Sequence, residues 1–203
     1  MSFSFPKKFI NYKKLKDVLE NNVDNKYYIS NEKTKQLTLN TMNKDMKNKY
    51  KSKIKENYNM VTAAAIRGRY KEDGTIKQQM EISDREYANA LTTVTKDSMI
   101  AEFNYYESLI KIRKITPREA FRLMGFSDAD FDAASKVVSA SQLYKQAGNS
   151  IVVDVLYHIY TQLYRAMPYL FNNLSVGSFF SGIGAFESAL DRLYININNA
   201  EIT

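Results

Sequence analysis

The chain has 203 residues, of which 44% are hydrophobic and 25% are charged, and its formal net charge is +7. This composition is ordinary for a globular protein with one or two small cores, and it excludes a disordered or fibrous protein. The chain contains no cysteine and a single histidine, His158. Disulfides and thiolate metal sites are therefore excluded, and we predict that no metal is bound.

Polar and charged residues interrupt the most apolar stretch, residues 151–171. The lysine-rich N-terminus lacks the apolar segment of a signal peptide. We therefore expect a cytosolic protein without a membrane span.

Positive charge is concentrated in residues 1–60, which hold fourteen Lys or Arg against six Asp or Glu, while the rest of the chain holds fifteen against sixteen. This asymmetry suits a surface that binds a polyanion such as DNA, because lysines that neutralise phosphates release counterions. A solvated, lysine-rich lead-in segment explains the same pattern. Both interpretations stay open.

In chain order, the pattern first predicts a short amphipathic helix at residues 12–20, with Leu15, Val18 and Leu19 on one face. Strand-like pieces follow at residues 62–70 and 90–95, with a turn at Gly74. Residues 61–114 are therefore predicted to form a small, loop-rich domain after a basic lead-in segment, residues 1–60.

A sharp helix start is predicted at Thr116, which can cap the helix while Pro117 takes the first helical position and Glu119 reaches back to the cap. This helix should end at Gly125. A longer helix is predicted at residues 150–167, and His158 within it should have a structural or surface role. Its predicted apolar face consists of Ile151, Val152, Val155, Leu156, Ile159, Tyr160 and Leu163.

The C-terminal part predicts a strand at residues 175–180, a glycine turn at 181–184, a further helix, and a second strand that starts near Ala200. The buried face of that helix is predicted to be Phe186, Ala189, Leu190 and Leu193. A glycine turn between a buried strand and a helix lets a ligand approach the backbone closely. Taken alone, it is equally consistent with a plain connection.

The full string Val176-Gly-Ser-Phe-Phe-Ser-Gly-Ile-Gly-Ala-Phe-Glu187 is more specific, and it closely resembles the cofactor loop of the DNA cytosine-5 methyltransferases. The resemblance implies an α/β fold containing part of an S-adenosylmethionine-dependent, Rossmann-like domain at residues 115–203, beside a loop-rich target recognition domain. It also implies a set of cofactor-binding residues: Phe179, Phe180, Ser181, Gly182, Ile183, Gly184, Ala185 and Phe186.

A second string, Ser141-Gln-Leu-Tyr-Lys-Gln-Ala-Gly-Asn-Ser-Ile-Val-Val153, resembles the final motif of the same family. The resemblance implies that Asn149 and Ser150 help to hold the carboxylate end of S-adenosylmethionine. From the residues alone, Gly148 is expected to form a turn, and Asn149 and Ser150 are expected at a helix start, where a plain N-cap is the alternative. Residues 113–126 resemble the family's ninth motif.

Residues 65–69 and 90–94 are similar to pieces of the family's variable recognition domain, which reads double-stranded DNA. Arginine can bond guanine and threonine can touch a phosphate or a thymine methyl group. The candidate DNA contacts are Arg67, Arg69, Thr92, Thr93 and Lys96, for each of which an ordinary surface or turn position is the alternative.

The final motif precedes the cofactor loop here, an order reversed from that of the family, so the resemblance implies a circular permutation. The family's Pro-Cys nucleophile and its Glu-Asn-Val triplet occur nowhere in the sequence, and cytosine-5 methylation needs a thiolate. No catalytic residue is therefore predicted in this chain. We expect one component of a bacterial or phage DNA methyltransferase, as in restriction–modification, with the catalytic cysteine on a complementary chain. A non-catalytic binding module and a remnant are the alternatives.

Overall fold

The computed structural model describes residues 13–34, 59–83, 85–91, 98–104, 109–179 and 182–199. These residues fall into two compact units, Lys13–Glu119 and a second unit that begins at Ala120. Within the described ranges, no helix is long and apolar enough to cross a membrane.

The first unit contains a four-stranded antiparallel sheet with the strand order β2-β1-β3-β4. The strands are β1 (Asn59–Tyr70), β2 (Ile76–Ile82), β3 (Met99–Asn104) and β4 (Leu109–Lys114). The predicted strand at 62–70 and the turn at Gly74 are confirmed. Gly74 has a φ of 78°, a left-handed conformation that glycine adopts without a steric penalty.

The predicted strand at 90–95 is not found in the part of it that the structure describes. Ala90 and Leu91 are not in a strand, and residues 92–95 lie outside the described residues. The strand that pairs with β1 on this side is β3, which begins at Met99.

The core of the first unit lies on one face of the sheet, where every second side chain of a strand is buried. Its members are Ala64, Ile66, Met80, Met99, Ala101, Phe103 and Ile112. Ala63, Ala65 and Ile100, which point to the opposite face, are also buried. Strands β1 and β3 are therefore covered on both faces, which explains the apolar run at residues 63–66 of β1.

The predicted helix at residues 12–20 is wrong in extent, since residues 13–20 form only a short 3-10 helix, Leu15–Asp17. Its apolar side is as expected, because Leu15 and Val18 are buried. The helix cannot continue since the backbone N–H of Glu20 donates instead to Glu119 Oε1, at 2.9 Å.

A buried ion cluster joins three segments of the first unit through the guanidinium of Arg113, on β4. The side chains of Arg113 and Glu119 are 1% and 0% exposed. Arg113 Nη1 and Nη2 donate to the two oxygens of Glu119 at 2.8 and 2.9 Å, and Arg113 Nε donates to Glu102 on β3 at 2.6 Å. Tyr28, in the lead-in segment, donates to the other oxygen of Glu102 at 3.0 Å.

Burial alone would lower the pKa of Arg113, but the hydrogen bonds and charges of Glu119 and Glu102 outweigh it and raise the pKa above its ordinary value. The same Glu119 accepts the backbone N–H of Thr116 at 2.8 Å, and Thr116 Oγ1 accepts the N–H of Glu119 at 3.1 Å. The predicted capping pair is thus confirmed, and one carboxylate both caps the helix and neutralises a buried arginine.

The α-helices that follow the sheet are α1 (Pro117–Leu123), α2 (Asp128–Ser135), α3 (Ala140–Asn149), α4 (Val153–Ala166) and α5 (Ala185–Asn198), and two further 3-10 helices are Asn25–Tyr27 and Pro168–Phe171. Helix α1 ends at Leu123, two residues before Gly125, where its end was predicted. Gly125 has a φ of 89°, and the N–H of Phe126 donates to the carbonyl of Phe121 at 3.1 Å, which is the hydrogen bond of a glycine-terminated helix.

Helices α4 and α5 pack against each other, and this packing corrects the predicted apolar faces. The buried residues of α4 are Val153, Leu156, Tyr157 and Thr161, while Ile151 and Val155 are exposed. A helix buries residues spaced three or four apart, so the prediction, which spread over a wider arc, included residues that face solvent. The Tyr157 ring lies under the guanidinium of Arg192, and the Tyr157 hydroxyl accepts a hydrogen bond from Asn196 Nδ2 at 2.7 Å.

On α5, Ala189, Leu190 and Leu193 are buried as predicted, but Phe186 is exposed and Ala185 is buried in its place. The predicted strand at 175–180 is wrong for residues 175–179, which the structure describes without a strand. A strand is held by hydrogen bonds to neighbouring strands, and none of the four described strands pairs with this segment. The second strand predicted near Ala200 lies outside the described residues.

The first prediction concerns the buried charge of Glu119. Replacing Glu119 with Gln leaves Arg113 with one fewer counter-charge in a buried site, and we expect unfolding free energy to fall by about 3 kcal/mol. Urea denaturation followed by circular dichroism measures this. Glu81→Gln is the matched control, since Glu81 also pairs with arginine side chains, those of Arg67 and Arg69, but at the surface; equal losses in the two variants contradict the buried-charge account.

Candidate functional site

Helix α3 carries the first group of predicted cofactor residues. Ser139 caps it by accepting the N–H of Gln142, and Leu143 and Ala147 are its buried residues. Asn149 is the last residue of this helix and Ser150 is its C-cap, in an extended conformation. The prediction that these two residues start a helix is therefore wrong, as is the predicted turn at Gly148, which lies inside α3.

Asn149 and Ser150 end a helix, and do not start one, because of the segment that follows them. Helix α4 begins at Val153 and its N-cap is Val152, so residues 150–152 form the connection. The N–H of Val153 donates to the carbonyl of Met124 at 2.8 Å. This bond ties the start of α4 to the end of α1 and leaves Asn149 and Ser150 at the end of the preceding helix.

The glycine turn before α5 carries the second group. Gly182 and Gly184 have φ angles of 65° and 78°, which L-residues with a side chain rarely adopt. Gly184 is the N-cap of α5, and its carbonyl accepts the N–H of Ser188 at 2.9 Å. The two glycines thus allow the chain to turn into α5. Because they have no side chains, the backbone of the turn is accessible at these positions.

These two groups line one cleft of about 670 Å³ within the second unit. Of the predicted cofactor residues, the cleft brings together Asn149, Ser150, Phe179, Gly182, Ile183, Ala185 and Phe186. Gly184 lies between lining residues without lining the cleft itself. Phe180 and Ser181 lie outside the described residues.

The two walls of the cleft differ in chemistry. Helix α3 presents a polar stripe made of Gln142, Lys145, Gln146 and Asn149, which share one face because they are three or four residues apart. The opposite wall is mainly apolar, with Val176, Phe179, Ile183 and Phe186. An elongated ligand with a polar end and an aromatic end matches this arrangement.

Sequence reasoning missed part of the lining, namely Gln142, Lys145, Gln146, Ile151, Tyr160, Val176, Gly177 and Ser178. Gln142, Lys145 and Gln146 lie seven, four and three residues before Asn149, so helical periodicity could have predicted that they share its face. No sequence pattern could have indicated Tyr160, since it comes from a different helix, α4. Burial, followed by the charge of Glu187, raises its pKa, so its hydroxyl stays protonated at neutral pH.

His158, on α4, has its ring 5.0 Å from that of Tyr157. Burial lowers its pKa, Asp154 opposes this change and Arg192 adds to it. His158 does not line the cleft described above.

Two of the predicted DNA-contact residues lie on β1 of the first unit. Arg67 and Arg69 are exposed, and both pair with Glu81 on β2. Arg69 bonds Glu81 through Nε, at 2.7 Å, and through Nη2, whereas Arg67 Nη1 lies 3.5 Å from the other oxygen. Thr92, Thr93 and Lys96 lie outside the described residues.

Comparison with known proteins identifies the family. Residues 1–165 match the family described as C-5 cytosine-specific DNA methylase. The chain belongs to this family. Enzymes of the family use S-adenosylmethionine, and membership implies their methyltransferase fold, so the predicted family and α/β class are confirmed. The matched range includes Asn149 and Ser150 and ends before the glycine turn.

Individual relatives agree with this assignment. An orphan methyltransferase of Bacillus phage SPbeta is 31% identical over 201 residues, covering 80% of this chain and 44% of that protein. A type II methyltransferase of Lactococcus lactis subsp. cremoris is 52% identical over 54 residues, covering 27% of this chain and 15% of that protein. A type II methyltransferase of Haemophilus parahaemolyticus is 50% identical over 50 residues, covering 24% and 14%.

The chain therefore spans less than half the length of the SPbeta phage relative. No solved structure matches the chain significantly.

Proposed function

We propose that this chain is one component of a DNA cytosine-5 methyltransferase, in which it binds S-adenosylmethionine and double-stranded DNA while a second chain supplies the catalytic cysteine. The observation that carries the proposal is the cleft itself. Asn149 and Gly182 are 33 positions apart in the sequence, belong to two different family-like motifs, and line the same cavity.

The cleft suits S-adenosylmethionine in size and chemistry. Pockets for small ligands commonly measure roughly 300–1,000 Å³, and this one measures about 670 Å³. In the proposal Asn149 and Ser150 bind the carboxylate end. The apolar wall, together with Phe180, Ser181 and Gly184 of the glycine turn, binds the remainder of the molecule.

When bound, S-adenosylmethionine supplies the methyl group that is transferred to C5 of cytosine. The base must first be attacked by a thiolate, which requires a cysteine, and it must leave the DNA stack to be reached. None of the 203 residues is cysteine. The thiolate, and the carboxylate that bonds the flipped base, are proposed to come from a complementary chain that carries the Pro-Cys and Glu-Asn-Val motifs.

The segment before the glycine turn supports the need for such a chain. Leu174, Val176 and Phe179 are 40%, 52% and 86% exposed, which is unusual for an apolar run that leads into a cofactor turn. In the proposal this segment becomes a strand of a sheet that the second chain completes. The motif order is then a circular permutation of the family's, which keeps a fold when the natural ends lie close together.

The first unit is proposed to contact DNA through the exposed face of β1 and β2. Arg67 and Arg69 stand two residues apart on one strand, so their side chains share a face. In the proposal, Thr92, Thr93 and Lys96 belong to the same interface. A non-catalytic module that binds DNA or S-adenosylmethionine is the second candidate, because the absence of cysteine is equally expected for it.

Calorimetric titration of the chain with S-adenosylmethionine tests the cofactor site. We expect the wild-type chain to bind and Asn149→Ala to bind roughly tenfold more weakly, since hydrogen bonds to charged groups contribute about 1.5–3 kcal/mol. Asn173→Ala is the matched control, because Asn173 is exposed and does not line the cleft. Absence of binding by the wild-type chain would falsify the cofactor site.

A DNA shift assay tests the recognition surface. We expect Arg67→Ala and Arg69→Ala each to weaken DNA binding roughly tenfold, and a variant that loses a phosphate contact should also show a weaker salt dependence. Arg165→Ala, an exposed arginine on α4, should bind as the wild type does. Unchanged binding in both β1 variants assigns Arg67 and Arg69 to the surface pairs with Glu81 alone.

Co-expression tests the division of the enzyme between two chains. When this chain is produced together with a chain that carries the Pro-Cys and Glu-Asn-Val motifs, we expect bisulfite sequencing to show methylated cytosines. The same pair with the partner cysteine changed to Ala is the control and should leave the DNA unmethylated. Methylation by the present chain alone contradicts the proposal, and failure of every such partner favours the non-catalytic module.

A further inference from the structure

We propose that Gln146 is a further ligand-binding residue of the cleft, whose side-chain carbonyl accepts a hydrogen bond from the ammonium group of the bound amino-acid moiety. This inference rests on the proposed function, and it names a specific contact within that site. It implies that the cleft selects nucleosides that carry an α-amino acid.

The starting observation is an unsatisfied polar atom. Gln146 Oε1 is buried and has no hydrogen-bond partner among the described residues, although Gln146 lines the cleft. Leaving a buried polar atom unpaired costs about 1–3 kcal/mol, and such atoms are rare in native proteins. A ligand that donates to Oε1 removes this cost.

The position of Gln146 on α3 explains why it is partly buried. One residue advances a helix by about 100°, so Gln146 lies about 60° from Leu143, which is buried, whereas Lys145 lies about 160° away. Gln146 thus stands at the edge between the polar stripe and the packed face of α3. An amide held at such an edge is better fixed in direction than the exposed Gln142 and Lys145.

A carbonyl oxygen only accepts hydrogen bonds, so the complementary ligand group must be a donor. The described residues that line the cleft include neither Asp nor Glu, and a bound ammonium must therefore find a neutral acceptor there. Gln146 Oε1 is such an acceptor, and a cationic donor makes the stronger hydrogen bond with it.

Proximity to Asn149 and Ser150 selects the ammonium over other donors of the ligand. Gln146 precedes Asn149 by three residues within α3, which places these two side chains within about 5–6 Å of each other at Cβ, and Ser150 follows Asn149 directly. In the proposed function Asn149 and Ser150 hold the carboxylate, and in an α-amino acid the ammonium is attached to the same carbon as the carboxylate. Adenine is many bonds away and suits the apolar wall.

Calorimetric titration with two ligands tests the contact. S-adenosylhomocysteine carries the amino acid, and 5′-methylthioadenosine has the same nucleoside without it. We expect Gln146→Met to weaken S-adenosylhomocysteine binding about tenfold, as for loss of a hydrogen bond to a charged group, and to leave methylthioadenosine binding unchanged. Gln146→Glu, which keeps an acceptor at this position, should retain or strengthen S-adenosylhomocysteine binding. Gln162→Met, at a half-buried glutamine of α4 that does not line the cleft, is the control and should bind both ligands normally.

Three results overturn the inference. Gln146→Met can bind S-adenosylhomocysteine normally, it can lose both ligands equally, or Gln146→Glu can lose S-adenosylhomocysteine as fully as Gln146→Met does. The second result indicates a role in the shape of the cleft, and thermal melts of each variant identify a general loss of folding. If the wild-type chain binds methylthioadenosine but not S-adenosylhomocysteine, the inference fails while nucleoside binding stands. If it binds neither, the proposed cofactor site itself fails.

Discussion

A guanidinium can be buried only when counter-charges and acceptors surround it, and Arg113 meets this requirement with residues from three different segments of the first unit. Glu102 comes from the neighbouring strand, Glu119 from the start of α1, and Tyr28 orients Glu102 from the lead-in segment. Because Glu119 also caps α1 and accepts the N–H of Glu20, the path of the chain at all these points depends on one buried charge.

In the second unit, the packing of apolar side chains between two helices has a comparable role. Helices α4 and α5 bury Leu156, Tyr157, Ala189 and Leu193 against each other, so the glycine turn that precedes α5 is held by the same packing that orients α4. Helix α3 joins α4 through only three residues, 150–152, so the end of α3 lies close to the start of α4. The glycine turn and one polar face of α3 both line the cleft.

In the proposed function this chain binds the methyl donor and a second chain supplies the cysteine that attacks the base, since none of the 203 residues is cysteine. Cytosine-5 methylation separates these tasks chemically, because the thiolate acts on the base and the cofactor only delivers the methyl group. Placing the two tasks on different chains is consistent with that separation. In the proposed function the two chains meet at the exposed apolar segment ahead of the glycine turn, since a strand gains its hydrogen bonds only from neighbouring strands.

Short-range patterns in the sequence determined much of this protein. Thr116, Pro117 and Glu119 specify a helix start, and Gly125 specifies its end, because capping acts within a few residues. The motif strings identified the family, and they identified seven of the fifteen residues that line the cleft before any geometry was known. What the tertiary structure alone decided involves partners that are distant in the chain: the pairing of Arg113 with Glu102, the burial of Ala185 in place of Phe186, and the contribution of Tyr160 to the cleft. Residues 175–179 also show that a local pattern is not sufficient. Their apolar pattern predicts a strand, but no described strand pairs with them. Local sequence sets the conformation that a segment prefers, but burial, charge pairing and strand pairing depend on which distant residues reach it.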